Sequence, residues 1–152
     1  MPVVSAGVLL HRAAPGLEVL LVHPGGPFWA KRDEGAWSLP KGECEPGEDP
    51  RARALTEFAE ETGTALPADA ELRELGEVRQ KGGKVVVGFA VEGDFDPATL
   101  VSNTFEMEWP PHTGRRREFP EIDRAEWFGL EEARLKINPA QAAFLDRLQL
   151  GW

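Results

Sequence analysis

The sequence predicts a layered α/β fold, and three observations carry that prediction. Apolar strand-like runs recur along the chain, beginning with residues 3–12 and including 84–92. Helix signals occur twice, once centrally at residues 50–62 and once near the C-terminus from Pro139. No repeat, low-complexity tract or linker divides the 152 residues, which suffice for one ordinary core. Strands interleaved with one central and one terminal helix pack as helices layered on a sheet.

Residues 3–12 are apolar enough for a mostly buried first strand, and 17–23 read as its partner through a turn at Ala14-Pro15-Gly16. The stretch 24–40 is rich in Gly, Pro and Trp, with a short strand expected at 36–39. Residues 41–49 combine acids, two glycines and Pro46, the composition of an ordered loop. The helix that follows has Asp49 as N-cap, Pro50 at its first position and Gly63 just past its end. Residues 72–78 and 84–92 read as a hairpin about Lys81-Gly82-Gly83. Two further strands are expected at 101–109 and 125–130, the second running into a short helix. Asn138 caps a final helix from Pro139, with Ala140, Ala143, Phe144 and Leu148 along one face.

A formal charge of -9, from 17 basic and 26 acidic side chains, opposes adhesion to polymeric nucleic acid or an anionic membrane. No apolar run reaches the length of a bilayer span. The opening residues 1–5 lack the basic region and cleavage site of a signal peptide, and the lone Cys44 has no internal disulfide partner. Both favour a reducing cytoplasm. A small phosphorylated ligand remains compatible with this charge if a few Lys or Arg, or a bound cation, meet it.

On a wheel of the central helix, Leu55, Phe58, Ala59 and Thr62 form the stripe expected to face the core. Glu57, Glu60 and Glu61 gather on the opposite side, with Arg53 one turn before Glu57. Acids on a solvated face are ordinary, but three at this spacing repel one another. They also crowd the helix's last turn, where its dipole disfavours negative charge. A hard divalent cation with oxygen ligands removes both objections, and Mg²⁺ is the expected one, with Mn²⁺ as a substitute.

These residues sit in a longer pattern. Gly42-Glu43-Cys44-Glu45-Pro46-Gly47-Glu48, seven further residues, then Thr56-Glu57-Phe58-Ala59-Glu60-Glu61-Thr62-Gly63-Thr64 resembles the Nudix box. Its six fixed Gly and Glu positions would align by chance about once in a million placements. Two positions depart: Thr56 stands where the family has Arg, and Thr64 where it has an apolar residue. The family Arg orients a neighbouring glutamate, and Arg53, four residues before Glu57, is read as its substitute. The lead-in from Gly35 to Gly42 resembles that of members acting on dinucleoside polyphosphates and related nucleotides.

The resemblance implies one Nudix domain over 1–152, an α/β/α sandwich with a mixed β-sheet and a catalytic loop-helix-loop. It implies Glu57 and Glu61 as principal metal ligands, joined by Glu60 directly or through water, and by the Gly42 carbonyl. Glu57 is the first choice of general base, with Glu106, Glu118 and Glu121 as candidates outside the box. Glu48 is read as supporting the loop. Lys41 and Lys84 are candidates to contact phosphate. Trp29 and Trp37 precede the box, where an aromatic side chain can stack on a nucleobase, and Trp37 enters the candidate substrate set. Trp109 and Trp127 are read as core, and Arg115-Arg116-Arg117 as a solvated loop. His11, His23 and His112 lack zinc-site spacing, and Cys44 lacks a nucleophile's partner.

The leading reading is metal-dependent hydrolysis of a pyrophosphate bond in a dinucleoside polyphosphate or nucleoside triphosphate, with sugar-linked nucleoside diphosphates next. The Tyr accompanying some dinucleoside polyphosphate members is absent, because the chain has no Tyr. The alternative is a sensor that binds nucleotide and metal without efficient turnover, which Thr56 favours and the three glutamates oppose. A calcium-binding module leaves the loop-helix spacing unexplained. Many family members form homodimers, and nothing in this sequence selects an interface.

Overall fold

The computed structural model describes residues 3–13 and 16–152. Its centre is β1 (Val4–Arg12), which pairs parallel with β5 (Val85–Glu92) and antiparallel with β2 (Glu18–Pro24). β4 (Arg73–Arg79) flanks β5, and β8 (Ile122–Gly129) flanks β2, giving the mixed order β4-β5-β1-β2-β8. β1 and β2 share ladder pairs only near His11 and Arg12. At the other end of β1, β3 (Lys41–Glu43) pairs with residues 5–7. Residues 41–43 are thus a strand, where a loop was expected. Gly7 permits this approach, since a Cβ there would lie 2.4 Å from the Pro40 carbonyl oxygen.

The run of apolar residues in β1 is continuous because both faces of the strand are covered. Ala6, Val8 and Leu10 point into a core completed by Ala54 and Phe58 of α1 (Pro50–Thr62). Leu9 points the other way, into a core with Ala133 of α2 (Leu130–Lys136) and Phe144, Leu145 and Leu148 of α3 (Ala142–Gln149). The result is the expected α/β/α sandwich with a mixed sheet. α3 is shorter than predicted, because residues 139–141 form a separate 3₁₀ turn that Asn138 caps.

The strand expected at 101–109 is confined to β6 (Thr104–Glu108), which pairs with the unforeseen β7 (Arg116–Pro120) in a hairpin apart from the main sheet. Arg116 and Arg117 therefore belong to a strand rather than a loop. The expected 36–39 strand is reduced to isolated bridges at Trp37 and Ser38. The expected Ala14-Pro15-Gly16 turn lies partly outside the described residues. Among the described residues, no helix is long and apolar enough to cross a membrane.

Candidate active site

The ends of α1 form as the sequence predicts. The Asp49 carboxylate accepts a hydrogen bond from the Arg51 N–H, Pro50 starts the helix, and Gly63 closes it in the left-handed conformation at φ 80°. A side chain at Gly63 would also strike Val101, whose Cβ would be 2.8 Å away. The buried face differs from the expected one. Ala54, Phe58, Glu61 and Thr62 are buried, Leu55 and Ala59 are half-buried, and Thr56 is exposed. α1 is rotated so that Glu61 turns inward beside β3, and the three glutamates are split rather than aligned on one wet face. Glu57 is half-buried, Glu61 is buried and Glu60 is exposed.

Gly42 explains why β3 and α1 meet so closely. A Cβ at Gly42 would lie 2.0 Å from the Glu57 carboxyl carbon and 2.3 Å from both its oxygens, so the carboxylate fills the space a side chain would need. Arg53 holds the same carboxylate from the helix side, donating to Glu57 Oε1 at 3.0 Å. Its Nε and Nη2 donate to Glu48 at 2.9–3.1 Å, and Glu48 in turn accepts from the Glu45 N–H at 2.8 Å. One guanidinium thereby ties the loop to the helix, and it holds the Glu48 carboxyl below the usual carboxylate range.

The other two carboxylates behave differently. Burial pushes Glu61 up to about 8, despite an attracting Lys41 and a hydrogen bond from the Lys41 backbone; nearby Glu57 and Glu121 raise it further. Glu57 is raised too, first by burial and then by Glu60 and Glu121, against the pull of Arg53. Burial also lowers Lys41, with Lys84 adding repulsion. This crowding of partly desolvated carboxylates is costly unless positive charge enters. Among the described residues, no three His, Cys, Asp or Glu side chains already converge tightly enough to cage an ion. The donors nevertheless suit a hard cation, being carboxylate oxygens around a glycine whose missing Cβ admits one of them.

Beside them opens a cavity of about 330 Å³, lined by Lys41, Glu61 and Glu121 together with Trp29, Gln80, Asn138 and Gln141 among others. Glu121 is placed by its backbone, which donates to Asn103 O and accepts from Gly25 N–H, both at 2.8 Å. Asn103 in turn donates to the Glu60 carbonyl at 3.3 Å, linking this segment to the end of α1. Glu106 and Glu118 face each other across the β6–β7 hairpin, are exposed and do not line the cavity. Lys84 is exposed beyond the cavity wall, near enough to Lys41 to repel it.

Trp37 does not fit the stacking role expected of it. It is 1% exposed, packed edge-on against His23 and Phe128 at 5.2 and 5.0 Å, with its indole N–H spent on Asp33. Trp29, 39% exposed, is the aromatic that lines the cavity. Trp127 is half-buried against the core that includes Ala54 and Phe58, whereas Trp109 is half-buried outside it. Trp109 meets the exposed ring of Phe28, and Trp127 lies under the Arg12 guanidinium. The polar wall was missed in the sequence. Asn138 read only as a helix cap, and Gln141, 0% exposed, is the uncharged polar residue whose inward position betrays the cavity.

The Nudix-domain family model matches residues 1–148. No curated protein matches the chain significantly in sequence. Among solved structures, a Caenorhabditis elegans Ap4A hydrolase in a binary complex is similar at TM-score 0.67 and 21% identity, covering 96% of each chain. A Nudix hydrolase from Nitrosomonas europaea is similar at TM-score 0.63 and 21% identity, over 99% of this chain and 90% of that one. The Nudix domain of Shewanella oneidensis NrtR, solved with ADP ribose, is similar at 0.58 and 19%, over 99% and 84%. At such identities the likeness shows a shared fold. The family match spans almost the entire chain, so the protein belongs to the Nudix family.

Proposed function

We propose that this chain works as one Nudix unit that hydrolyses the pyrophosphate bond of a small nucleotide, a dinucleoside polyphosphate or nucleoside triphosphate, with Mg²⁺ as the physiological cation and Mn²⁺ as a substitute. The observation that carries the reading is the Glu57 carboxylate, seated on Gly42, tied by Arg53 and set close to buried Glu61. Nudix hydrolases generally use divalent ions. Glu57 and Glu61 are the principal holders, with Glu60 and the Gly42 carbonyl completing the set. When bound, the cation neutralises the anhydride and stabilises charge developing on its bridging oxygen.

The protein's own groups supply position and proton handling. Arg53 keeps the Glu57 carboxylate from swinging away and offsets part of its repulsion with Glu60. Thr56, exposed on α1, has no part in that work; Arg53 performs it from one turn earlier. Lys41, half-buried on the cavity wall, meets a phosphate oxygen with a donor already shielded from bulk water. Glu57 takes the proton of the attacking water, and Glu121 is the outside carboxylate on the cavity wall. The acidic surface favours a small phosphorylated substrate over a nucleic acid polymer.

The deciding experiment is a nucleotide panel incubated with Mg²⁺, with products separated by charge. Cleavage of an anhydride into two phosphorylated products is expected for at least one dinucleoside polyphosphate or triphosphate. Tight binding across the panel with no cleavage would replace this reading with the sensor.

A further inference from the structure

The neutral amides of the cavity carry a polarity that their hydrogen bonds determine. Gln141 is fully buried, and one end of its amide faces the Leu39 backbone N–H at 3.2 Å. Only an oxygen can accept from that donor, so the Gln141 NH₂ must face the other way. There it meets Ser38 Oγ at 3.0 Å and the Gln80 side chain at 2.9 Å, spending both hydrogens. The Gln80 atom receiving one of them must be its oxygen. The Ser38 proton is spent on the Leu39 carbonyl at 2.7 Å.

Asn138 reaches the same state by another route. Its side-chain oxygen caps the turn at 139–141 by accepting from the Ala140 N–H at 2.9 Å. Two amides on the cavity wall, Gln80 and Asn138, therefore have their oxygens turned to protein donors, and each keeps an NH₂ group with no protein acceptor among the described residues. One fixed donor, Leu39 N–H or Ala140 N–H, starts each chain of bonds and so sets the orientation of each amide.

We propose that this cavity is a base-recognition site whose free amide NH₂ groups, on Gln80 and Asn138, donate to the base, so that it selects nucleotides presenting a carbonyl oxygen there, of the guanine or uracil type, over those presenting an amino group, of the adenine or cytosine type. Trp29, on the same cavity, supplies an aromatic face for the base. An amino group placed against Gln80 and Asn138 sets donor against donor and leaves all of them unpaired, whereas a carbonyl satisfies them. The inference rests on the proposal that the carboxylate site binds nucleotides.

The test is kcat/KM for GTP, UTP, ATP and CTP with Mg²⁺, on the natural protein, Gln80→Met and Gln80→Glu. The natural protein should favour the oxo pair at least about tenfold, mainly through KM, as one donor that the bound base shields from water and leaves unpaired implies. Gln80→Met removes the donor and should narrow the ratio to about threefold or less. Gln80→Glu replaces it with an acceptor and should move the preference toward ATP and CTP. Equal use of all four nucleotides by the natural protein, a preference for ATP, or an unchanged ratio in Gln80→Met would overturn the inference while leaving the hydrolase intact. If no nucleotide is hydrolysed, the hydrolase reading fails separately, and calorimetric titration with GMP and AMP decides the inference. At least tenfold tighter GMP binding supports it; equal or absent binding overturns it.

Discussion

Glu61→Gln removes an ionisable carboxyl from the buried edge of α1 while nearly keeping the side chain's shape. In the metal-free protein the Glu61 carboxyl is raised from an ordinary 4.5 to about 8, chiefly by burial. The folded state therefore binds this proton more tightly than the unfolded chain does. Its contribution is fully present below pH 4.5, declines as pH rises from about 4.5 to about 8, and then levels off. At about 1.4 kcal/mol per tenfold change in affinity, ionising Glu61 costs the fold at most about 5 kcal/mol. Gln also loses the attraction of Lys41, which offsets part of the gain. Glu61→Gln should then be more stable than the natural protein by about 2–4 kcal/mol at pH 8.5, and within about 1 kcal/mol of it at pH 4.5. Urea denaturation in EDTA at four or five pH values reads the difference directly. A difference between the two proteins that stays constant over that range, or that turns against Glu61→Gln as pH rises, would show that Glu61 is not held in a desolvated site. Added Mg²⁺ should reverse the order at pH 8.5, because only the natural protein has the carboxylate to hold it.

Gly42→Ala places a methyl group where the Glu57 carboxylate sits, and should lower kcat/KM by at least about 100-fold with the fold retained by circular dichroism. Arg53→Ala frees both Glu57 and Glu48, and should weaken Mg²⁺ activation and lower turnover by roughly 10- to 100-fold; unchanged values in steady-state kinetics would remove Arg53 from the site. Trp37→Ala should act through stability, costing about 3–5 kcal/mol in thermal or urea unfolding, since its ring is buried against His23 and Phe128. Trp29→Ala should leave stability nearly unchanged and raise KM for nucleotides several-fold in the hydrolysis assay.

Much of the architecture was legible because it depends on local signals. Asp49, Pro50 and Gly63 bracket α1 as capping chemistry requires, and the continuous apolar run of β1 announces a strand covered on both faces. The spacing from Gly42 to Gly63 likewise displays its carboxylates in the sequence. What stayed hidden depends on partners distant along the chain. Residues 41–43 have loop composition and become a strand only because Gly7 of β1 lets them approach. Glu61 lies on the polar arc of an isolated helix, yet α1 packs with that edge under β3. Trp37 looks like a surface aromatic in a loop rich in Gly and Pro, and is buried by His23 of β2 and Phe128 of β8. The amide pair Gln80 and Gln141, 61 positions apart, has no sequence signature as a pair.

The most direct test of the central claim compares nucleotide hydrolysis by the natural protein, Glu57→Gln and Glu61→Gln across a Mg²⁺ titration. The account predicts turnover that requires the cation, is abolished by EDTA and collapses in both variants even at saturating Mg²⁺. Turnover that persists in EDTA, or that survives either substitution at full rate, would show that these carboxylates do not form the metal-dependent site.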